Sequence, residues 1–133
     1  MKRITVYGSL LKGLGNHGIL ADPKTAILMG EHTIEEDLYM ISLGGFPGLL
    51  ISKEGERNTI HVETYSVTDE VFARVERLEG YPSFYTRYPV KTPFGDSEVY
   101  VLAREGYYDR GDRVKPDENG IVNWKKHDTR WLK

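Results

Sequence analysis

Only one stretch of this chain, residues 68–79, carries both the period and the punctuation of a helix. Val71, Val75 and Leu78 recur on one face, with Phe72 at its edge. Thr68 suits the N-cap, Asp69 and Glu70 favour the positive N-terminal end, and Gly80 with Pro82 enforces the stop. Everything else with an apolar pattern is short and rich in β-branched and aromatic residues. Residues 3–7, 24–29, the second half of 32–42, 49–52, 59–67, 83–91 and 98–103 read as strands. Residues 59–67 alternate apolar and polar with one slip in phase, the mark of a bulge. Gly44-Gly45-Phe46-Pro47-Gly48 and residues 92–96 are turn clusters, and residues 53–57, centred on Gly55, read as a charged hairpin loop. Six or seven strands, one helix and hairpin-length connections predict an α+β fold. The expected form is a small mixed or antiparallel β-barrel with that helix packed on it.

Length decides the domain count: 133 residues suit a single domain, 1–133, with one core. The composition shifts after Ala103. Fourteen of residues 104–133 are charged and the apolar period is lost. This part is expected to be a peripheral charged tail, pinned by Trp124 and Trp131. Its bases interleave with aromatics, as in a nucleic-acid patch. The whole chain, however, has net charge −2, which gives no general attraction to nucleic acid or to an anionic membrane. No apolar run approaches a membrane span, and Met1-Lys2-Arg3 is not followed by the apolar core of a signal peptide. The chain has no cysteine. Disulfides, thiolate metal sites and a thiol nucleophile are excluded, and a cytoplasmic setting is expected.

The residues able to do chemistry are few. After the first strand, Gly8, Gly13, Gly15 and Gly18 punctuate a loop of small side chains. Its backbone N–H groups can converge on one anionic or carbonyl oxygen. Gly13-Leu14-Gly15-Asn16-His17-Gly18 matches GxGxxG, but Ser9 to Lys12 separate it from the strand and Pro23 cuts off a following helix, so it is not a dinucleotide fingerprint. Leu14 stands where a P-loop needs lysine. Ser9 lacks a nucleophile elbow, and its N–H is the better candidate group. His17, His32, His61 and His127 show no metal spacing, and no cofactor is implied. His17 is expected to make a local hydrogen bond.

On the helical wheel Glu79 falls between Val75 and Phe72, an acid on the buried face, whereas Glu70 and Glu76 point away from the centre of the apolar stripe. Burial and the negative helix end both push a carboxyl pKa upward. A carboxyl near neutrality both takes and gives a proton. The plain alternative is a helix-end glutamate turned into water. Phe46-Pro47 is expected to form one rim of a pocket, and Arg87 an ion pair.

Two blocks carry a family resemblance. Tyr7-Gly8-Ser9-Leu10 with Lys12-Gly13 and Asn16-His17 resembles the opening of the gamma-glutamylcyclotransferase-like family, nearest its gamma-glutamylamine cyclotransferase branch. Leu78-Glu79-Gly80-Tyr81-Pro82, with Tyr85 and Arg87, resembles that family's catalytic-glutamate segment. The chain departs from the pattern by an extra leucine in Leu10-Leu11-Lys12. The resemblance implies the family's small β-barrel and the release of 5-oxoproline and a free amine from a small gamma-glutamyl compound. It implies Glu79 as general acid and base, Tyr7, Gly8, Ser9, Leu10 and Tyr85 as substrate-binding residues, and neither metal nor cofactor. The rival reading is a non-catalytic small-molecule binding module on the same fold.

Overall fold

A computed structural model describes residues 1–103 and 112–129 of the chain. It is a mixed α+β structure with mostly antiparallel strands and few helices. The first strand, β1 (Lys2–Val6), pairs antiparallel with β5 (Asn58–Val67), and β5 pairs along its other edge with β2 (Ala26–Glu36). A second sheet joins β3 (Leu38–Ser42) to β4 (Pro47–Ile51), and β6 (Tyr85–Thr92) forms a hairpin with β7 (Gly95–Leu102). Between β5 and β6 lies α1 (Asp69–Glu79). Two short strands follow, β8 (Asp112–Arg113) on β3 and β9 (Ile121–Val122) parallel to β5, and then α2 (Trp124–Thr129).

β5 is the centre because it is buried on both faces. Ile60, Val62, Glu63, Thr64, Tyr65 and Val67 are all buried, so strict alternation fails there. The bulge expected in this strand lies instead on its partner, between Leu28 and Gly30. The strand expected over 24–29 begins at Ala26 and runs without a break through Gly30 to Glu36; at Gly30 an added Cβ would meet the Phe94 ring at 2.5 Å. Residues 53–57 do not close a hairpin, because β4 and β5 belong to different sheets.

The sheets meet through one face of the N-terminal segment. Arg3 Nε donates to the Asp96 carbonyl at 2.7 Å, Thr5 and Ser97 share a hydrogen bond of 2.8 Å, and the Tyr7 hydroxyl donates to the Tyr100 carbonyl at 2.6 Å. The period of two puts these three side chains on one face, against Asp96, Ser97 and Tyr100 of β7. Among the described residues the ladders form three separate sheets, so the expected closed barrel is absent as a continuous hydrogen-bonded ring.

α1 is the helix that the sequence announces. Thr68 Oγ1 accepts from the Val71 N–H at 3.2 Å, and Gly80 adopts a left-handed φ of 65°. Val71 and Val75 are buried against Ile4, Val6, Leu11 and Tyr100. Leu78, expected in the same stripe, stays 42% exposed. On the other side, Leu38, Met40, Ile60, Val62 and Val99 pack with Val114, Val122 and Trp124. The stretch expected as a peripheral tail thus supplies core residues, and Trp124 is 1% exposed. Its charged side chains hid this, because three apolar anchors spaced irregularly make no period. Trp131 lies outside the described residues.

Candidate active site

The loop after β1 is held by local hydrogen bonds and ends in a 3-10 helix at His17–Leu20. Gly8 lets it press on β4: a Cβ there would stand 2.7 Å from Pro47 Cγ. The Leu11 N–H donates to the Gly8 carbonyl at 2.9 Å and closes a turn. Leu10 and Leu11 are both buried in the core, which absorbs the extra leucine. The Lys12 N–H donates to Glu63 Oε1 at 2.9 Å, and the Tyr65 hydroxyl donates to the same oxygen at 3.0 Å. Asn16 binds Ser9 twice, through its N–H to the Ser9 carbonyl and through Nδ2 to the Ser9 hydroxyl, each at 2.9 Å. His17 Nδ1 donates to the Leu10 carbonyl at 3.0 Å, the local bond expected of it. The N–H groups of Gly8, Ser9 and Leu10 donate to no described residue.

Glu79 ends α1 beside this loop. It lines an inner pocket with Tyr7, Gly8, Ser9, Leu10, Pro47 and Tyr100. The pocket's free volume is about 30 Å³, against roughly 10–15 Å³ needed to seat one water. It therefore has room for one small polar group. Glu79 and Ser9 also belong to the wall of a wider outer cleft of about 440 Å³, with Leu14, Phe46, Leu78, Phe84, Tyr85 and Trp124. Phe46 and Pro47 form a rim, as their turn suggests.

Two glutamates one turn apart on α1 have opposite surroundings. Burial alone would raise the Glu76 carboxyl, but hydrogen bonds from Arg87 and Tyr100 hold it below the ordinary value. The Arg87 guanidinium pairs with it, and the Tyr100 hydroxyl donates to it at 2.7 Å. Glu79 is half-buried and makes no hydrogen bond or ion pair with any described residue. Burial pushes its pKa from 4.5 to about 7. The two neighbouring carboxyls are thus driven in opposite directions, Glu76 toward its ionised form and Glu79 toward its protonated one.

Tyr7 and Tyr85 do not offer free hydroxyl protons. Tyr7 donates to the Tyr100 carbonyl and accepts from the Leu49 N–H at 3.3 Å. Its pKa is raised well above the usual value by burial, with Tyr85 and Glu79 nearby adding to the effect. The Tyr85 hydroxyl donates to the Pro47 carbonyl at 2.5 Å. Both tie β4 and its rim to the pocket.

The loop after β1, Glu79 and the rim from β4 thus meet at one place. Residues 4–126 match the family described as gamma-glutamyl cyclotransferase, AIG2-like. The chain belongs to this family. A gamma-glutamylcyclotransferase family protein, ytfP, of Citrobacter rodentium is 32% identical over 102 residues, covering 77% of this chain and 82% of the relative. A gamma-glutamylaminecyclotransferase of Rattus norvegicus is 29% identical over 119 residues, covering 86% and 74%. The fold is similar to that of protein PH0828 from Pyrococcus horikoshii, with a TM-score of 0.75 and 25% identity over 99% of this chain and 97% of that one.

In this gamma-glutamyl cyclotransferase family member, all the residues expected at the site line one of its two compartments. Sequence reasoning missed Glu63, Glu76, Tyr100 and Trp124. Glu63 had one visible signal, the phase slip that buries a carboxyl in β5. Glu76 had none, because its partners lie on β6 and β7. Among the described residues no three His, Asp or Glu side chains cluster as a metal site. No described helix is long and apolar enough to cross a membrane.

Proposed function

We propose that this chain cyclises a small gamma-glutamyl compound, releasing 5-oxoproline and a free amine, with Glu79 as both base and acid. The observation that carries the reading is the half-buried carboxyl of Glu79, without a partner among the described residues and with a pKa near 7, set beside the N–H groups of Gly8, Ser9 and Leu10, which donate to no described residue. The substrate's α-amino group attacks its own γ-carbonyl carbon. One C–N bond forms, closing a five-membered lactam, and the γ-amide C–N bond breaks. Attack is intramolecular, so the main task is to fold the glutamyl chain into the reactive conformer. Glu79 takes one proton from the ammonium before attack and gives it to the departing nitrogen, then takes the second as the lactam forms and passes it to the released amine, which leaves as its ammonium. The net reaction moves no electrons and adds no water.

The inner pocket suits one small polar group, either the α-carboxylate or the oxygen of the developing tetrahedral centre. The N–H groups of Gly8, Ser9 and Leu10 are the donors proposed for it. Tyr7 and Tyr85, their hydroxyl protons committed to carbonyls, hold the walls of the site. A non-catalytic binding module would be favoured by an ionised, ion-paired Glu79. The raised pKa and missing partner speak for the enzyme.

The reading needs no metal, so treatment with a chelator is expected to leave 5-oxoproline release unchanged. Loss of activity restored by Zn²⁺ would refute the metal-free mechanism. The direct test is 5-oxoproline release from a panel of gamma-glutamyl compounds, wild type beside Glu79→Gln.

A further inference from the structure

We infer that the leaving amine is an apolar one, with a hydrocarbon or aromatic body and no carboxylate; the glutamyl half of this assignment rests on the cyclotransferase reading. The inner pocket is too small for more than the polar head of a substrate. The remainder must pass Glu79 and Ser9, which belong to both compartments, and enter the outer cleft. That cleft is walled by Leu14, Phe46, Leu78, Phe84 and Trp124. They come from the first loop, the turn before β4, the end of α1, the approach to β6 and the start of α2, so the apolar lining is a property of the assembled cleft rather than of one amphipathic element.

Two of these side chains lie open to water at its mouth: Phe46 is 39% and Leu78 42% exposed. The Phe46 and Phe84 rings are tilted by 53° with centroids 6.1 Å apart. Apolar surface held in water at the entrance of a polar pocket is favourable only when something apolar covers it. Charge points the same way. Among the described residues of this wall, the one ionisable carboxyl is Glu79, and none is cationic. A leaving group with its own carboxylate, such as an amino acid or peptide, would bring an unpaired anion toward Glu79 and away from water. An aliphatic or arylalkyl amine would meet matching surface on several sides.

The test uses three compounds with the same gamma-glutamyl head: the phenethylamide, the glycine conjugate and the ε-lysine conjugate. Their dissociation constants are measured by calorimetry on Glu79→Gln, which is expected to bind without turning over, and 5-oxoproline release is measured on the wild type. The phenethylamide is expected to bind at least roughly tenfold tighter than the glycine conjugate, the scale of a modest apolar contact in a pocket. Phe46→Ala is expected to remove most of that ratio, and Leu78→Lys to turn it toward the carboxylate-bearing compound. Both positions are exposed, and an unchanged thermal midpoint verifies the fold. Equal or tighter binding of the glycine or lysine conjugate would overturn the inference. So would a ratio unmoved by Phe46→Ala, or no binding of any of the three. An apolar preference in binding without 5-oxoproline release would sink the catalytic reading and leave this one standing; release without the preference would do the reverse.

Discussion

Glu79 and Glu76 differ by one helical turn and by nearly everything else. Glu76 is satisfied by Arg87 and Tyr100, whereas Glu79 has burial and no compensating donor. A folded-state pKa of about 7 against 4.5 means that the native state holds a proton which the unfolded state has released over that interval. Stability from this group is therefore full below pH 4.5 and lost as pH rises toward 7. Glu79→Gln removes the titration. Its thermal midpoint relative to wild type is expected to climb from pH 5 to pH 8, measured by calorimetric scans at several pH values. A constant difference across that range would mean that Glu79 titrates normally. The position of Glu79 on the buried face was legible from the wheel and from the matched Leu78-Glu79-Gly80-Tyr81-Pro82 block. The wheel could not show that Glu76 is also drawn inward. Its partners come from strands 11 and 24 positions away, and no local pattern encodes them.

At the scale of elements, the site depends on a loop that a buried carboxylate holds in place. Glu63 on β5 accepts from the Lys12 N–H and from the Tyr65 hydroxyl, and so fixes the far end of the turn that carries Ser9. Glu63→Ala leaves both donors without that partner and is expected to cost about 1–3 kcal/mol. Substrate affinity should fall as well, because the N–H groups of Gly8 to Leu10 lose their fixed aim. Denaturant unfolding and KM for one gamma-glutamyl compound measure the two effects. A variant as stable as wild type with an unchanged KM would show that the loop is held by its own turns alone. Strand and helix existence was largely readable because β-branched runs and caps are local signals. What escaped was pairing. β2 runs through Gly30 because that glycine admits Phe94 from the β6–β7 hairpin, and β4 and β5 separate into different sheets. Both outcomes are set by contacts distant in sequence.

For the whole molecule, the described residues after position 103 are not an appendage. Val114, Val122 and Trp124 close one side of the core, and β9 lies on the edge of β5 beyond the end of β1. Trp124→Ala is expected to cost about 3–5 kcal/mol, as for large aromatics removed from a core. A shift below about 1 kcal/mol in urea unfolding would place it instead with surface substitutions, which rarely exceed ~0.5 kcal/mol. The composition of residues 104–133 misled because charge density reports the solvent face, while three anchors suffice to dock a segment. The same packing brings Trp124 into the wall of the outer cleft. The proposed function rests on one proton-exchanging carboxyl beside a pocket for one small polar group. It is tested most directly by measuring 5-oxoproline release from gamma-glutamyl compounds with wild type and Glu79→Gln side by side. Release by the wild type and none by the folded variant is the predicted result. Equal release by both, or none by a wild type that binds the compounds, would contradict it.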